Sequence, residues 1–435
     1  MSDRWSLGRL SLGVARHMRY PLLLSVTVTL ASCHSGGVAQ PPPTPRHFAA
    51  SSPVASAVTL SLPECLQMAF ERQPRLAAQR ASLTATEDGK RALDSFRLPA
   101  LLDHQIPVRR RQAGLGLMAA AAGLDQAERE TVYAVTRTYF TVLYAREQER
   151  VANSVVERLS ATHDAARRAL DASARDVTAT DVNRTLVYMR LAETRRTQAT
   201  QGVKRALVSL REAIGLGPAV VVDVPPSRLP EPEARPGKDE VVAAALARRG
   251  ELIQASVFAQ VACLEVEAQA TSLALKMPTF AAGSDIHASV VPQGDQRTEY
   301  KPGAVPPEMP TLLAGTRPER IKHARSLQAR AEAVVETTRN LIALEAEDAF
   351  LRWEEASAET RQAREAAEAG DKLADELNKD FTAGLKVRID EVITARVLAS
   401  QARSQYNEFL YKQIVALADL ERVTAGGFRA GLVVR

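Results

Sequence analysis

Apolar residues recur along most of this chain at the spacing of one helix face. Val151, Val155, Leu159, Ala166 and Leu170 follow at steps of four and seven, with Thr162 the one polar member of the stripe. Val182, Leu186 and Met189 resume the pattern after a break near Ala172 to Thr180. Val203, Leu207, Leu210 and Ile214 continue it to a stop at Gly215, Gly217 and Pro218. Residues 129–214 thus predict two antiparallel arms of roughly 40 residues, each about 60 Å long. Residues 58–95 predict an opening helical part, with Pro63 in its first turn. Residues 96–113 predict irregular structure, because they hold Pro99, Pro107 and the run Arg109, Arg110, Arg111; residues 114–170 return to helix. Further on, 238–275, 319–378 and Val392 to Thr424 predict helices, with a turn at Ala383 and Gly384. The stretch 277–316 carries Pro278, Pro292, Pro302, Pro306, Pro307 and Pro310 and predicts no helix.

These elements form one unit written twice. Tyr139 corresponds to Ala349, Phe140 to Phe350, Asp181 to Glu391, Leu210 to Leu420 and Gly217 to Gly427, all at an offset of 210 (349 − 139). The unit starts match at another offset: Glu64 to Leu76 aligns with Glu240 to Leu252, at 176 (250 − 74 for Gly250 and Pro74). The second copy therefore carries an insertion of about 34 residues between its first and second helical parts. The expected organisation is a first helical-hairpin repeat at 58–218, a Pro-rich linker at 219–237, a second repeat at 238–428 with a non-helical insertion at about 277–316, and a tail at 429–435. One hairpin cannot bury its apolar stripe alone, whereas two can pack into a bundle.

Aromatic residues make up only 5% of the chain, which points to long helices packed closely through small residues rather than to separate globular domains. The net charge of +5 is small, and basic and acidic residues alternate along the same segments, so they read as solvated helix faces and not as a nucleic-acid surface.

The N-terminus reads as a signal peptide over residues 1–32. Arg9, Arg16 and Arg19 precede an apolar run, Leu22 to Ala31, too short to span a membrane stably. The run ends in Leu30, Ala31, Ser32 and Cys33, which resembles the lipobox of bacterial lipoproteins; the resemblance implies a lipid on Cys33. Residues 33–57 then form a flexible tether. Cys65 and Cys263 lie in apolar helical contexts, as two buried thiols or as one disulfide of an oxidising compartment.

Chemistry-bearing motifs are few. No His pairs with Cys or carboxylates at metal-ligand spacing, and there is no P-loop or nucleophile elbow. Gly114, Gly116 and Ala119 imitate a dinucleotide fingerprint, but follow no buried strand. The chain is therefore expected to be no enzyme, with no metal and no cofactor beyond the lipid.

The turn Ala383, Gly384, Leu385, Lys386, Val387, Arg388, Ile389, Asp390 carries a Gly-Leu pair with an acidic residue six positions after the glycine. With the start Leu62, Glu64, Ala69 followed by Gln73, Pro74 and Leu76, it resembles the outer-membrane efflux protein family of the TolC type, over nearly all of residues 58–428. The resemblance implies a mainly α fold, with duplicated long antiparallel helical hairpins in an α-helical barrel-type bundle. It also implies a homotrimer at the outer membrane, anchored there by lipid, most of whose chain lies in the periplasm and whose tips dock on a periplasmic adaptor bound to an inner-membrane pump. The activity would be conduction of small molecules or peptides in a tripartite efflux or type I secretion system. Candidate tip, gate and docking residues are Gly384, Leu385, Arg388, Asp390 and Glu391 in the second copy, and Asp176 and Asp181, beside Arg175, in the first. Carboxylates there would attract cations and pair with Arg to hold a tunnel shut; the same residues also suit helix caps and solvated turns.

Two features depart from the family pattern. Ala174 stands in the first copy where the second has Gly384. The family uses two membrane strands per copy, and a strand needs about 9–11 residues of alternating character. Pro278 to Val291 and Pro302 to Gly315 are weak candidates, and Arg97 to Gln112 is too short for two. The expected strands are few and degenerate, so the barrel is reduced or absent. The competing reading is a lipid-tethered periplasmic helical scaffold that has lost the pore.

Overall fold

The computed structural model describes residues 58–95, 105–172, 177–271, 274–280, 309–383 and 387–432. Each repeat contains two shorter helices followed by a hairpin of two long ones. In the first these are α1 (Leu62–Arg72), α2 (Pro74–Ser95), α3 (Ile106–Asp171) and α4 (Ala179–Ala213); in the second, α5 (Lys238–Arg248), α6 (Gly250–Ala270), α7 (Arg317–Thr382) and α8 (Ile389–Val423). α5 begins 176 residues after α1 (238 − 62) and α8 begins 210 after α4 (389 − 179). α3 and α7 have 66 residues each, about 100 Å of helix. α4 and α8 return over 35 residues each.

Local chemistry sets the helix starts. Ser61 with Glu64, Thr178 with Asp181 and Thr316 with Glu319 form reciprocal capping boxes at the heads of α1, α4 and α7. The break between α1 and α2 falls at Gln73, which takes an extended conformation (φ −66°, ψ 116°) because the ring of Pro74 disfavours helical geometry before it. Arg249 makes the same break between α5 and α6 (φ −64°, ψ 129°). The Gln73 side chain donates to the carbonyls of Ala213 and Glu212, satisfying the end of α4. The chain leaves α4 through Gly215 at φ +74°, where an added Cβ would also stand 2.7 Å from the Arg72 carbonyl oxygen.

The expected irregular stretch at 96–113 is corrected from Ile106 onward, while residues 96–104 lie outside the described residues. α3 starts at Ile106, and Pro107 occupies its first turn, where the missing N–H costs nothing. Arg109, Arg110 and Arg111 are therefore helical. Arg109 grips the buried carboxylate of Glu265 on α6, Arg111 pairs with Glu267, and Arg110 donates to the carbonyls of Leu93 and Asp94 on α2.

The long hairpins pack as coiled coils. On α7 the buried positions Ala356, Thr360, Ala363, Ala367, Gly370 and Ala374 alternate steps of four and three, the 3.5-residue repeat of a supercoiled seam. α8 answers with Val392, Ala395, Ala399, Ala402 and Tyr406. Small residues bring the backbones close: a Cβ on Gly370 would stand 3.1 Å from the Cα of Ala399. α3 and α8 lie side by side and join the two hairpins, leaving α4 and α7 at the edges. The largest apolar core gathers Cys65, Phe140, Leu143, Leu210, Ile214, Val224 and Ile414. A second, ionic core buries Arg249, Glu251 and Glu345, with Arg422 reaching Glu345 at 2.8 Å and Asp419 at 2.8 Å.

Strands among the described residues are short. β1 (Val58–Thr59) pairs parallel with β2 (Val222–Asp223) and ties the linker to the start of the first repeat. β3 (Lys276–Pro278) pairs antiparallel with β4 (Leu312–Ala314), with Met277 opposite Leu313. β4 falls within the candidate strand Pro302 to Gly315, whereas β3 meets the candidate Pro278 to Val291 only at Pro278; most of Pro278 to Val291 and residues 302–308 lie outside the described residues. Arg320, fully buried, closes this junction through Gln269 and the carbonyls of Ala274 and Gly315. No described helix is long and apolar enough to cross a membrane.

The cysteines part company. Cys65 is fully buried and burial pushes its thiol pKa up to about 12, whereas Cys263 is exposed on α6. Both are free, which corrects the expectation that Cys263 is buried or disulfide-bonded: its helix turns that position away from the bundle.

Candidate functional site

The first turns of α4 and α8 come together at one end of the bundle. Ile389 and Ile393 of α8 pack with Leu159 and Ala166 of α3 and Ala192 of α4, joined by Val177, Val182 and Phe381. This apolar contact sets the first turns of α4 and α8 side by side and brings their charges within reach of each other.

Asp181 is the third residue of α4. Its Oδ2 accepts from the Thr178 amide at 3.0 Å and from the Thr178 hydroxyl at 2.7 Å. Those hydrogen bonds, then Arg184 and Arg388, hold its carboxyl below the ordinary Asp range. Asp390 is the second residue of α8, and its Oδ1 accepts from Arg388 Nε at 3.0 Å. Arg184 lies between the two acids, 3.8 Å from Asp181 Oδ1 and 3.9 Å from Asp390 Oδ2. The result is an alternating chain, Asp181, Arg184, Asp390, Arg388, which crosses from one hairpin to the other. Its members are 19% to 74% exposed, so each pair is screened and individually weak. Glu391 is exposed on the following position of α8.

Four of the sequence candidates are therefore placed: Asp181, Arg388 and Asp390 meet, and Glu391 stands beside them. Asp176, Gly384, Leu385 and Cys33 lie outside the described residues. Arg184 was not among the candidates, although it sits three positions after Asp181, where a helix brings side chains together. The capping role considered for these acids is real for Asp181, whose carboxylate completes the box at the head of α4. His163 lies one turn further in, with Nδ1 2.8 Å from the Thr185 hydroxyl, and joins α3 to α4. Gly114 and Gly116 lie inside α3, so the glycines resembling a dinucleotide fingerprint are part of a continuous helix.

No family model and no curated protein matches this sequence. Solved structures do match it. The outer-membrane channel OprN superposes with a TM-score of 0.66 at 16% identity, over 84% of this chain and 90% of that one. The open state of the MtrE outer-membrane channel of Neisseria gonorrhoeae matches at 0.65 and 15% identity, over 84% and 89%. The outer-membrane protein VceC of Vibrio cholerae matches at 0.66 and 14% identity, over 85% and 97%. The chain has the fold of the TolC-type outer-membrane channels: mainly α, built of duplicated long hairpins, as the turn and the opening motif implied. These neighbours are channels and not enzymes.

Proposed function

We propose that the chain is the outer-membrane tunnel component of an export system of the tripartite efflux or type I secretion kind. A homotrimer would conduct small molecules or peptides along its helices, with a lipid on Cys33 holding it to the outer membrane and most of the chain in the periplasm. The observation that carries this reading is the fold itself, matched to outer-membrane channels along most of the chain and of theirs.

The open edges of the bundle support it. α4 exposes Val187, Tyr188, Leu191 and Val208, and α7 exposes Leu344, Leu351 and Leu373. Apolar side chains on both edges of a four-helix arc suit copies that close edge to edge. In such a ring the chain of Asp181, Arg184, Asp390 and Arg388 would recur three times at the closed ends of the hairpins, with Glu391 beside it. Asp176, Gly384 and Leu385 would belong to the same tip. There it would set cation attraction and gating and face a periplasmic adaptor bound to an inner-membrane pump. Native mass spectrometry of the lipidated chain extracted in mild detergent tests the assembly. A mass of three chains is expected, and a monomer at all concentrations would contradict it.

One observation favours the second reading, a lipid-tethered periplasmic scaffold without a pore. Only residues 96–105 separate α2 from α3, whereas two barrel strands of about 9–11 residues each need twice that length. The residues between these two helices are thus too few for a strand pair of membrane-spanning length.

A further inference from the structure

On the linker side of the seam between α3 and α8 lies a cavity of about 530 Å³. α3 presents Arg150, Ser154 and Arg158 to it, one per turn of helix. α8 runs antiparallel and presents Arg396, Ser400 and Arg403. Arg396 Nη1 donates to the Arg158 carbonyl at 2.7 Å, and Gln148 donates to the Ser404 carbonyl at 3.0 Å, which fixes the register of the two ladders. Arg228, from the linker, closes one side.

The charges in this cavity do not balance. Arg150 pairs with Glu147 at 2.8 Å and Arg403 with Asp371. Glu231 accepts from Tyr406 at 2.8 Å and pairs with Arg364. All three acids of the wall are therefore engaged. Among the described residues no carboxylate comes within ion-pair distance of Arg158, Arg228 or Arg396. Arg396 rests on neutral acceptors, the Arg158 carbonyl, the Thr162 hydroxyl and the Asn378 amide oxygen. Burial and then the neighbouring Arg158 hold its guanidinium below the ordinary value, with Asp375 pulling the other way. A second observation comes from Asn407. It is 6% exposed, it lines the same cavity, and its Nδ2 has no acceptor.

Three guanidinium groups lining one concave site, with no described carboxylate at ion-pair distance, repel one another, and guanidinium forks match the oxygens of phosphate and carboxylate groups. We propose that this cavity binds a small polyvalent oxyanion, held by Arg158 and Arg228 with Arg396 at its base. The ligand would bridge the linker and both long hairpins, so its binding would fasten the joint between the repeats. Phosphate esters and polycarboxylates share the required chemistry. The inference does not depend on conduction, because it concerns a site on the folded chain whether or not a pore forms.

The test is isothermal titration calorimetry on the folded, detergent-extracted full chain at low ionic strength, with inorganic pyrophosphate and, separately, with citrate. Saturable binding at one site per chain is expected for at least one probe; tighter pyrophosphate points to phosphate esters and tighter citrate to polycarboxylates. Arg158→Gln and Arg228→Gln each weaken it at least about fivefold, because each removes a charge-assisted contact. The double variant loses saturable binding, and Arg91→Gln on the distant exposed face of α2 binds as the unaltered chain does. Arg396 also anchors α8 to α3, so it is left intact. As a second readout, the bound probe raises the melting temperature of the unaltered chain and leaves that of the double variant unmoved. No saturable heat with either probe, or unchanged affinity in a folded double variant, would overturn the proposal.

Discussion

Arg109 holds the carboxylate of Glu265 with two nitrogens of its guanidinium, across a sequence separation of 156 residues and with the acid 1% exposed. Burial pushes the Glu265 carboxyl up, but the hydrogen bonds from Arg109, Gln269 and Gln112 outweigh it and hold the group below the ordinary range. The pair joins the start of α3 to the end of α6, where each repeat passes from its short helices to its long ones. Arg109→Ala would leave a buried carboxylate without its cation, and a loss of about 3–5 kcal/mol in stability is expected. Urea denaturation followed by circular dichroism measures it. A change below about 1 kcal/mol would mean that water replaces the arginine, as it does around an exposed pair.

The seam of α7 leaves no room for side chains at its centre. Gly370→Leu should force α7 from α8 or distort both, at about 1–3 kcal/mol or more. Lys372→Ala, on an exposed polar position of the same helix, should move stability by less than about 0.5 kcal/mol. Equal effects from the two substitutions would contradict the packing described.

Acid should weaken three helix starts together. Glu64, Asp181 and Glu319 are held below their ordinary pKa values chiefly by the capping hydroxyls of Ser61, Thr178 and Thr316, and then by the backbone amides of the same residues. Their folded values lie below the unfolded ones. The stability they contribute is present above the ordinary values, 4.5 for Glu and 3.8 for Asp, and is lost as pH falls through the folded ones. Thr178→Ala removes one box and should cost about 1 kcal/mol, seen as faster amide hydrogen exchange in the first turn of α4. Exchange there that is unchanged by the substitution, or that slows on acidification beyond the intrinsic rate, would argue against the capping account.

Membrane attachment is expected to rest on the lipid at Cys33, because the strands among the described residues are short. A Cys33→Ser variant should leave the membrane fraction on washing with high salt or carbonate, while the unaltered chain stays. Retention of the variant as an embedded, heat-modifiable trimer would mean that a barrel forms after all.

Much of this fold was legible because the repeat is internal to the sequence. The two offsets, 176 and 210, reappear as the spacings of α1 to α5 and of α4 to α8. What misled was local reading of residues whose partners are remote. Pro107 and three arginines look like an irregular segment until Glu265 and Glu267 are placed beside them. The α7 seam has a readable 3.5 spacing, but Ala, Gly and Thr contrast too little with their neighbours to mark a buried face. The tip acids were found from the turn motif, and Arg184 was missed because its second partner, Asp390, belongs to the other repeat. The arginine ladders of α3 and α8 read as solvated faces for the same reason: antiparallel packing, and not sequence proximity, makes them converge.

Single-channel recording of the purified lipidated chain in planar bilayers tests the central claim most directly. Discrete conductance steps are expected, with cation preference reduced in Asp390→Ala, since one carboxylate per chain leaves the tip. A silent bilayer with chains that are oligomeric and fully helical would contradict conduction and leave the tethered scaffold as the account of this fold.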